Sequence, residues 1–177
     1  DSELRKGAYQ GEFWKMIAQC ADNKLFQELC PLADSSVMRG EREELILRFF
    51  AYSDKYTEFE HSVKDFLNDY LKEKNQEFKN GVPEKYKNEF EQMLKFVKKY
   101  IGSFAKTETA KTTPRVRFEA IAVGINLALK EQPKRVKYNI DWLYSEEFKE
   151  QTTSDASNNK SKLRSRIEFV KNKLLGS

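Results

Sequence analysis

The segment from 41 to 53 constrains the fold more than any other part of the sequence. Its apolar residues leave a helix with almost no polar face; they are Leu45, Ile46, Leu47, Phe49, Phe50 and Tyr52. A helix that is apolar on nearly all sides is buried on most of them. The segment therefore predicts a helix at the centre of a helical domain.

The helical period continues through the rest of the chain and predicts an all-α, bundle-like single domain over 1–177, with six to eight helices. The other predicted helical ranges are 12–30 with a break at Asn23, 55–76, about 83–104, 115–131, 139–150 and 161–175. Gly124 is expected to permit close helix packing. Residues 33–40 are predicted as a polar loop, and 105–114 and 151–160 as mobile loops. The alternating stretch 136–140 has no partner strand.

Composition narrows the class of protein. Charged residues make up 34% of the 177 residues and aromatic residues 13%, which disfavours both a membrane protein and a disordered chain. No apolar run approaches the roughly 20 residues that a bilayer requires. The two cysteines, Cys20 and Cys30, lie among apolar residues, so we expect reduced core thiols and a cytoplasmic protein.

The sequence offers little for catalysis. Its single histidine, His61, lies on the polar side of its predicted helix and has no second ligand at metal spacing. Neither a glycine-rich phosphate loop nor a nucleophile elbow is present. Two acidic clusters, at 41–44 and 146–150, are interpreted as lying at or near helix starts, where carboxylates stabilise the helix dipole. We therefore expect a non-enzyme without metal or cofactor.

One charged pair stands inside the apolar segment. Glu44 and Arg48 are four residues apart and share a helix face in the favourable order. An arginine in such surroundings needs a partner, because an unpaired buried charge is costly. The pair is either a structural ion pair or a contact to a neighbouring domain or ligand.

Positive charge is concentrated in the second part of the chain. Residues 1–105 hold 17 Lys and Arg against 19 Asp and Glu, whereas residues 106–177 hold 15 against 9. Basic clusters can bind nucleic acid, and two loops carry them; the candidates are Lys111, Arg115, Arg117, Lys160, Lys162, Arg164 and Arg166. A plain solvated face is the competing interpretation, because acidic residues are interleaved and no DNA-reading module is evident.

Several strings carry a family resemblance. They are Glu3 to Phe13 (ELRKGAYQGEF), Glu43 to Ala51 (EELILRFFA), Phe66 to Leu71 (FLNDYL), Arg117 to Ala120 (RFEA) and Lys162 to Ile167 (KLRSRI). Together they resemble the helical C-terminal portion of the GmrSD-type restriction proteins, and the resemblance covers nearly the whole chain. The first two strings are its most specific part.

The resemblance implies a bacterial protein that defends against foreign DNA. In that family the nucleotide-linked activity belongs to an N-terminal ParB-like domain with an Asp-Gly-Gln-Gln-Arg-like motif, and this sequence contains no such motif. The chain is thus expected to be a C-terminal lobe that supports an absent catalytic domain. Arg5, near the expected junction, joins Glu44 and Arg48 as a candidate interdomain or ion-pair residue.

Two hypotheses about function follow. In the first, the chain is a non-catalytic helical lobe of a DNA-directed restriction protein that packs on the ParB-like domain and contacts DNA. In the second, it is a protein-interaction module without nucleic-acid contact, docking through its first helices and the region of Arg48. A small helical enzyme is a third hypothesis, which magnesium-dependent cleavage of DNA would support.

Overall fold

A computed structural model describes residues 9–60, 62–107, 109–153 and 159–176. Within these ranges the chain forms nine α-helices and no strand, so the all-α prediction is confirmed. The helices are α1 (Glu12–Ala21), α2 (Lys24–Leu29), α3 (Asp34–Met38), α4 (Glu41–Lys55), α5 (Val63–Glu77), α6 (Lys85–Phe96), α7 (Arg115–Glu131), α8 (Glu146–Gln151) and α9 (Lys160–Leu175). Short turns of tighter or wider helix follow α4 (Tyr56–Glu58), continue α6 (Val97–Ile101) and precede α8 (Asp141–Tyr144).

Helices α4, α7 and α9 form the centre of the bundle, with α7 packed against both of the others. Every residue of α4 from Glu44 to Ser53 is buried, as the apolar segment predicts. In α7 every residue from Val116 to Asn126 is buried. Because both helices are enclosed on nearly all sides, any charged residue within them needs a partner in the protein or a ligand.

A glycine sets the distance between α7 and α9. A Cβ atom added to Gly124 would lie 2.5 Å from Cβ of Val170 and 3.0 Å from the carbonyl oxygen of Ile167. Such distances are shorter than van der Waals contact, so only glycine lets α9 approach this closely. The expectation that Gly124 permits close packing is confirmed.

The other half of the core is built from aromatic rings. Phe13 of α1 makes ring contacts with Phe50, Tyr70 and Tyr86, whose centroids lie 5.6–5.8 Å from its own. These edge-to-face contacts tie α1 to α4, α5 and α6. Cys20 and Cys30 are buried free thiols, as expected.

Three predicted boundaries were wrong. The polar stretch 33–40 contains the short helix α3. The predicted helix 55–76 begins only at Val63, where the Ser62 hydroxyl accepts a hydrogen bond from the Asp65 amide and caps α5. The predicted helix 139–150 is divided at Ser145. The hydroxyls of Ser62 and Ser145 cap two of these helices, and apolar spacing does not reveal such contacts.

The two predicted loops differ in how far they are free of helix. In 105–114 the described residues form no helix, and Ala105 and Thr113 are buried. In 151–160 the ends belong to α8 and α9, and residues 154–158 lie outside the described part of the chain. The mobility of both loops stays a prediction. Arg5 and His61 also lie outside the described residues.

Candidate functional site

A network of four buried charges crosses the centre of the bundle. In α4 the Arg48 Nε donates to Oε1 of Glu44 at 3.2 Å, and its Nη1 donates to Oε1 of Glu119 in α7 at 2.6 Å. Arg166 of α9 brings its Nη2 to 3.4 Å from the other oxygen of Glu119. Two arginines and two glutamates therefore balance one another between three helices.

Within this network Glu44 and Arg48 form a structural ion pair. Both side chains are more than nine-tenths buried, and Arg48 bonds to two carboxylates. Burial by itself lowers the pKa of Arg48, but Glu119, Tyr52 and Glu44 more than reverse this, so the net pKa is raised. Burial is also the main cause that raises the pKa of Tyr52, and Glu119 adds to it. Arg48 lies inside the bundle and is therefore not a surface contact to a neighbouring domain.

The seven predicted nucleic-acid contacts are not brought together as one free surface. Arg166 is fully buried beside Glu119, so its prediction as a DNA contact is wrong in this fold. Arg117 is 7% exposed, and this also contradicts a role on an open surface. Arg166 lies three residues after Leu163 and four before Val170, so it shares the buried face of its helix.

Three of the remaining five candidates already contact other groups of the protein. Arg115 makes a two-pronged ion pair with Glu41, at 2.9 and 2.6 Å, and Lys160 pairs with Glu60. Arg164 donates to the backbone carbonyl of Thr57. Ion pairing neutralises the charge that a phosphate would need, so Arg115 and Lys160 are weak candidates.

Lys111 and Lys162 complete the set. Both side chains are exposed, and neither is within ion-pair distance of a carboxylate in the described part of the chain. They stand in different segments, before α7 and in the first turn of α9. They are the two sequence-predicted cations that stay available to an anionic partner.

The structure reveals a second basic surface that sequence reasoning missed. Tyr138 is 57% exposed and stacks on Tyr100, with centroids 4.5 Å apart and planes inclined by 22°. The Lys99 ammonium lies 5.0 Å from the centre of the Tyr100 ring. We call this surface the tyrosine–lysine patch; it comprises Lys99, Tyr100 and Tyr138 with the exposed cations that precede Tyr138 in the chain, which are Lys134, Arg135 and Lys137.

None of the four cations of the patch forms an ion pair with a carboxylate among the described residues. The hydrogen bond with Tyr100 is the main cause that raises the pKa of Lys99, so this lysine is charged near neutral pH. The segment 132–140 contains no acidic residue. That run of sequence was the available signal, but only the fold places it beside residues 99 and 100.

An open groove is the third feature. It has a volume of about 550 Å³ and lies where the turn after α6 meets the segment before α8. Arg117, Lys106, Ile101, Leu143 and Tyr144 are among its lining residues. Tyr144 is 68% exposed and stands at the rim.

The acidic clusters lie in the first turns of two helices, except for Glu150, which is near the end of α8. Glu41, Glu43 and Glu44 lie in the first turn of α4, and Glu146 and Glu147 in the first turn of α8. Among the described residues, no three His, Cys, Asp or Glu side chains are arranged to hold a metal ion. None of the helices described is both long and apolar enough to cross a bilayer.

Comparison with protein families, with curated proteins and with solved structures finds no significant match for this chain.

Proposed function

We propose that this chain is the non-catalytic helical lobe of a cytoplasmic bacterial restriction protein, and that it contacts DNA through the tyrosine–lysine patch. The observation that carries the DNA contact is the stacking of exposed Tyr138 on Tyr100, with exposed cations nearby that form no ion pair with a carboxylate among the described residues. The restriction setting and the partner, a ParB-like N-terminal domain, come from the sequence resemblance.

The chemistry of the patch suits single-stranded or unstacked DNA. Lysine and arginine attract the phosphate backbone, and exposed aromatic rings stack with bases without reading their sequence. Stacking on one ring contributes about 1–3 kcal/mol, which is roughly 5- to 150-fold in affinity. Tyr138 presents such a ring, and Tyr100 supports its other face.

The test compares the patch with the sequence-predicted cations. Fluorescence anisotropy would measure the binding of a labelled single strand and a duplex to three variants: Tyr138→Ala, the triple Lys134→Glu/Arg135→Glu/Lys137→Glu, and the matched control Lys111→Glu/Lys162→Glu. The triple variant should lose affinity for both DNAs and flatten the salt dependence by several phosphate contacts. Tyr138→Ala should weaken the single strand by about tenfold and the duplex less.

Two results would count against this location. If the triple variant binds like the unmodified chain, the patch does not contact DNA. If the Lys111/Lys162 control loses more affinity than the triple variant, the contact lies at the sequence-predicted loops instead. A chain that binds neither DNA even at low salt would remove the nucleic-acid part of the proposal.

A protein-interaction module is the second candidate, and exposed Tyr144 favours it. Tyrosine is enriched at the centres of protein interfaces, and here it stands exposed at the rim of the groove. The test is to add the ParB-like domain in trans and to compare the chain with Tyr144→Ala. Binding that Tyr144→Ala weakens and an excess of DNA leaves unchanged would favour this candidate over DNA contact.

A further inference from the structure

Arg117 is a buried charge of a different kind from Arg48 and Arg166. Its Nε donates to the backbone carbonyl of Phe104 at 3.0 Å, and its guanidinium lies 5.2 Å from the centre of the Phe148 ring. Within the described part of the chain no carboxylate lies within ion-pair distance of Arg117, and the side-chain hydrogen bond that it makes there comes from Nε. The two terminal nitrogens of the guanidinium are therefore not matched by a carboxylate of the described residues.

The open side of Arg117 faces the groove. Only 7% of the Arg117 surface is exposed, and Arg117 is one of the residues that line the groove of about 550 Å³. Glu28, the acidic residue that also lines the groove, is paired with Lys98. Among the described residues that line the groove, Glu28 is the acidic one, so Arg117 has no carboxylate partner there, and Lys106 adds a second positive charge.

We propose that this groove binds a carboxylate borne on an apolar or aromatic body, with Arg117 holding the carboxylate. A carboxylate accepts two parallel hydrogen bonds from the terminal nitrogens of a guanidinium. Its single negative charge balances the single positive charge of Arg117. Ile101, Leu143 and Tyr144 offer apolar contact to the rest of the ligand.

The size of the groove fits this ligand class. Small-molecule sites usually measure about 300–1,000 Å³ and combine an apolar lining with a few polar groups that fix orientation. The same chemistry is found in a free aromatic acid and in an acidic side chain beside an apolar residue of a peptide. The site is independent of the tyrosine–lysine patch, so it stands whether or not the chain contacts DNA.

Amide NMR titration of the full chain tests the site with four probes. The free-ligand arm compares 3-phenylpropionate with its neutral amide. The peptide arm compares acetyl-Leu-Asp-Phe-amide with acetyl-Leu-Asn-Phe-amide. At least one carboxylate probe should shift the amides of residues 101–107 and 143–144, and its neutral counterpart should bind at least about tenfold more weakly.

Variants then assign the binding to Arg117. Arg117→Met should abolish the preference for the acid over the amide, whereas Arg115→Met, two residues earlier and paired with Glu41, should preserve it. Tyr144→Ala changes an exposed residue, so the fold is kept, and it should weaken either carboxylate probe several-fold.

The outcomes distinguish a peptide ligand from a free small molecule and show when the proposal is wrong. Binding of the peptide acid alone identifies a protein partner, and binding of the free acid alone identifies a small molecule. The proposal is overturned if acid and amide bind equally, if no probe shifts the groove amides at about 10 mM, or if folded Arg117→Met keeps the acid preference. Should Arg117→Met fail to fold, unchanged binding by Tyr144→Ala overturns it.

Discussion

The two faces of α7 hold buried arginines in opposite ways. Glu119 faces α4 and α9 and neutralises Arg48 and Arg166. Arg117, two residues earlier and so roughly 200° around the helix, faces Phe104 and Phe148 and has no carboxylate within ion-pair distance among the described residues. We call these the paired face and the open face. Burial lowers the pKa of both Arg117 and Arg166, and Glu119 offsets part of that only for Arg166.

The difference separates structure from binding. A closed network of charges offers nothing to a ligand, because each group already has its partner and lies between packed helices. A buried guanidinium beside a groove keeps hydrogen-bond donors for something outside the chain. The same residue type therefore supports the fold on one face and a binding site on the other.

Removing Glu119 should have the largest effect and would test the paired face. Glu119→Gln leaves Arg48 and Arg166 buried around a neutral group, so we expect the free energy of unfolding to fall by about 3–5 kcal/mol. Urea denaturation measures it. The matched control, Glu41→Gln, breaks the exposed pair with Arg115 and should cost at most about 1 kcal/mol. Equal losses would show that the buried network stabilises no more than a surface pair.

The buried thiols of Cys20 and Cys30 differ from the buried arginines, because a thiol is neutral when protonated whereas an arginine stays charged. Burial raises the pKa of Cys20 and Cys30 to about 12 from 9.0. The folded state then binds more protons than the unfolded state between these values, so stability is complete below pH 9.0 and falls as the pH rises towards about 12.

We expect a loss of about 2 kcal/mol per thiol between about pH 8 and about pH 10.5. Urea denaturation across this range measures the slope. Cys20→Ala and Cys30→Ala should each reduce the slope, whatever they do to stability at neutral pH. A slope that neither substitution changes would mean that other groups cause the alkaline loss.

Substitution of Gly124 should sharpen the comparison by moving α9 away from the paired face. In Gly124→Ala the new methyl group meets Val170 and the carbonyl of Ile167, so we expect a loss of about 1–3 kcal/mol. The matched control is Ala128→Gly, one turn further along α7, which removes a methyl group and costs about 1 kcal/mol through helix propensity. Thermal unfolding of both variants measures the difference. A Gly124→Ala variant as stable as the unmodified chain would contradict the close packing.

Removal of Arg117 should have the smallest effect and is the test that could break the comparison. Arg117→Met removes one hydrogen bond to a carbonyl but also relieves a buried charge, so the net change should stay within about 1 kcal/mol. The same substitution on the paired face, Arg48→Met, should cost about 3 kcal/mol or more, because it strands two glutamates. If both cost the same in urea denaturation, the open face is as structural as the paired face.

The helices were largely predictable from the sequence because apolar residues recur at helical spacing. The predicted range 115–131 coincides with α7, and the segment 41–53 falls inside α4 as a buried helix. The ends that failed depend on single capping contacts, such as Ser62 with the Asp65 amide. Such a contact carries no periodic signal.

The candidate sites were much less predictable. Glu44 and Arg48 were recognised because they interrupt an apolar run four residues apart, whereas Glu119 lies 71 residues from Arg48 and completes their network. The tyrosine–lysine patch was missed because Tyr100 and Tyr138 belong to separate segments. Charge clustering along the chain pointed instead to residues such as Arg166, which the fold buries.

The sequence by itself determined the helical class of this protein and which helices had to lie inside, because apolar periodicity and burial follow from local composition. Only the tertiary structure decided whether each charged side chain is buried or exposed and which group it contacts. A helix turns its residues through every direction, so neighbours in sequence such as Arg115 and Arg117 face solvent and core respectively. Which carboxylate, carbonyl or groove each arginine meets depends on the helix that packs opposite.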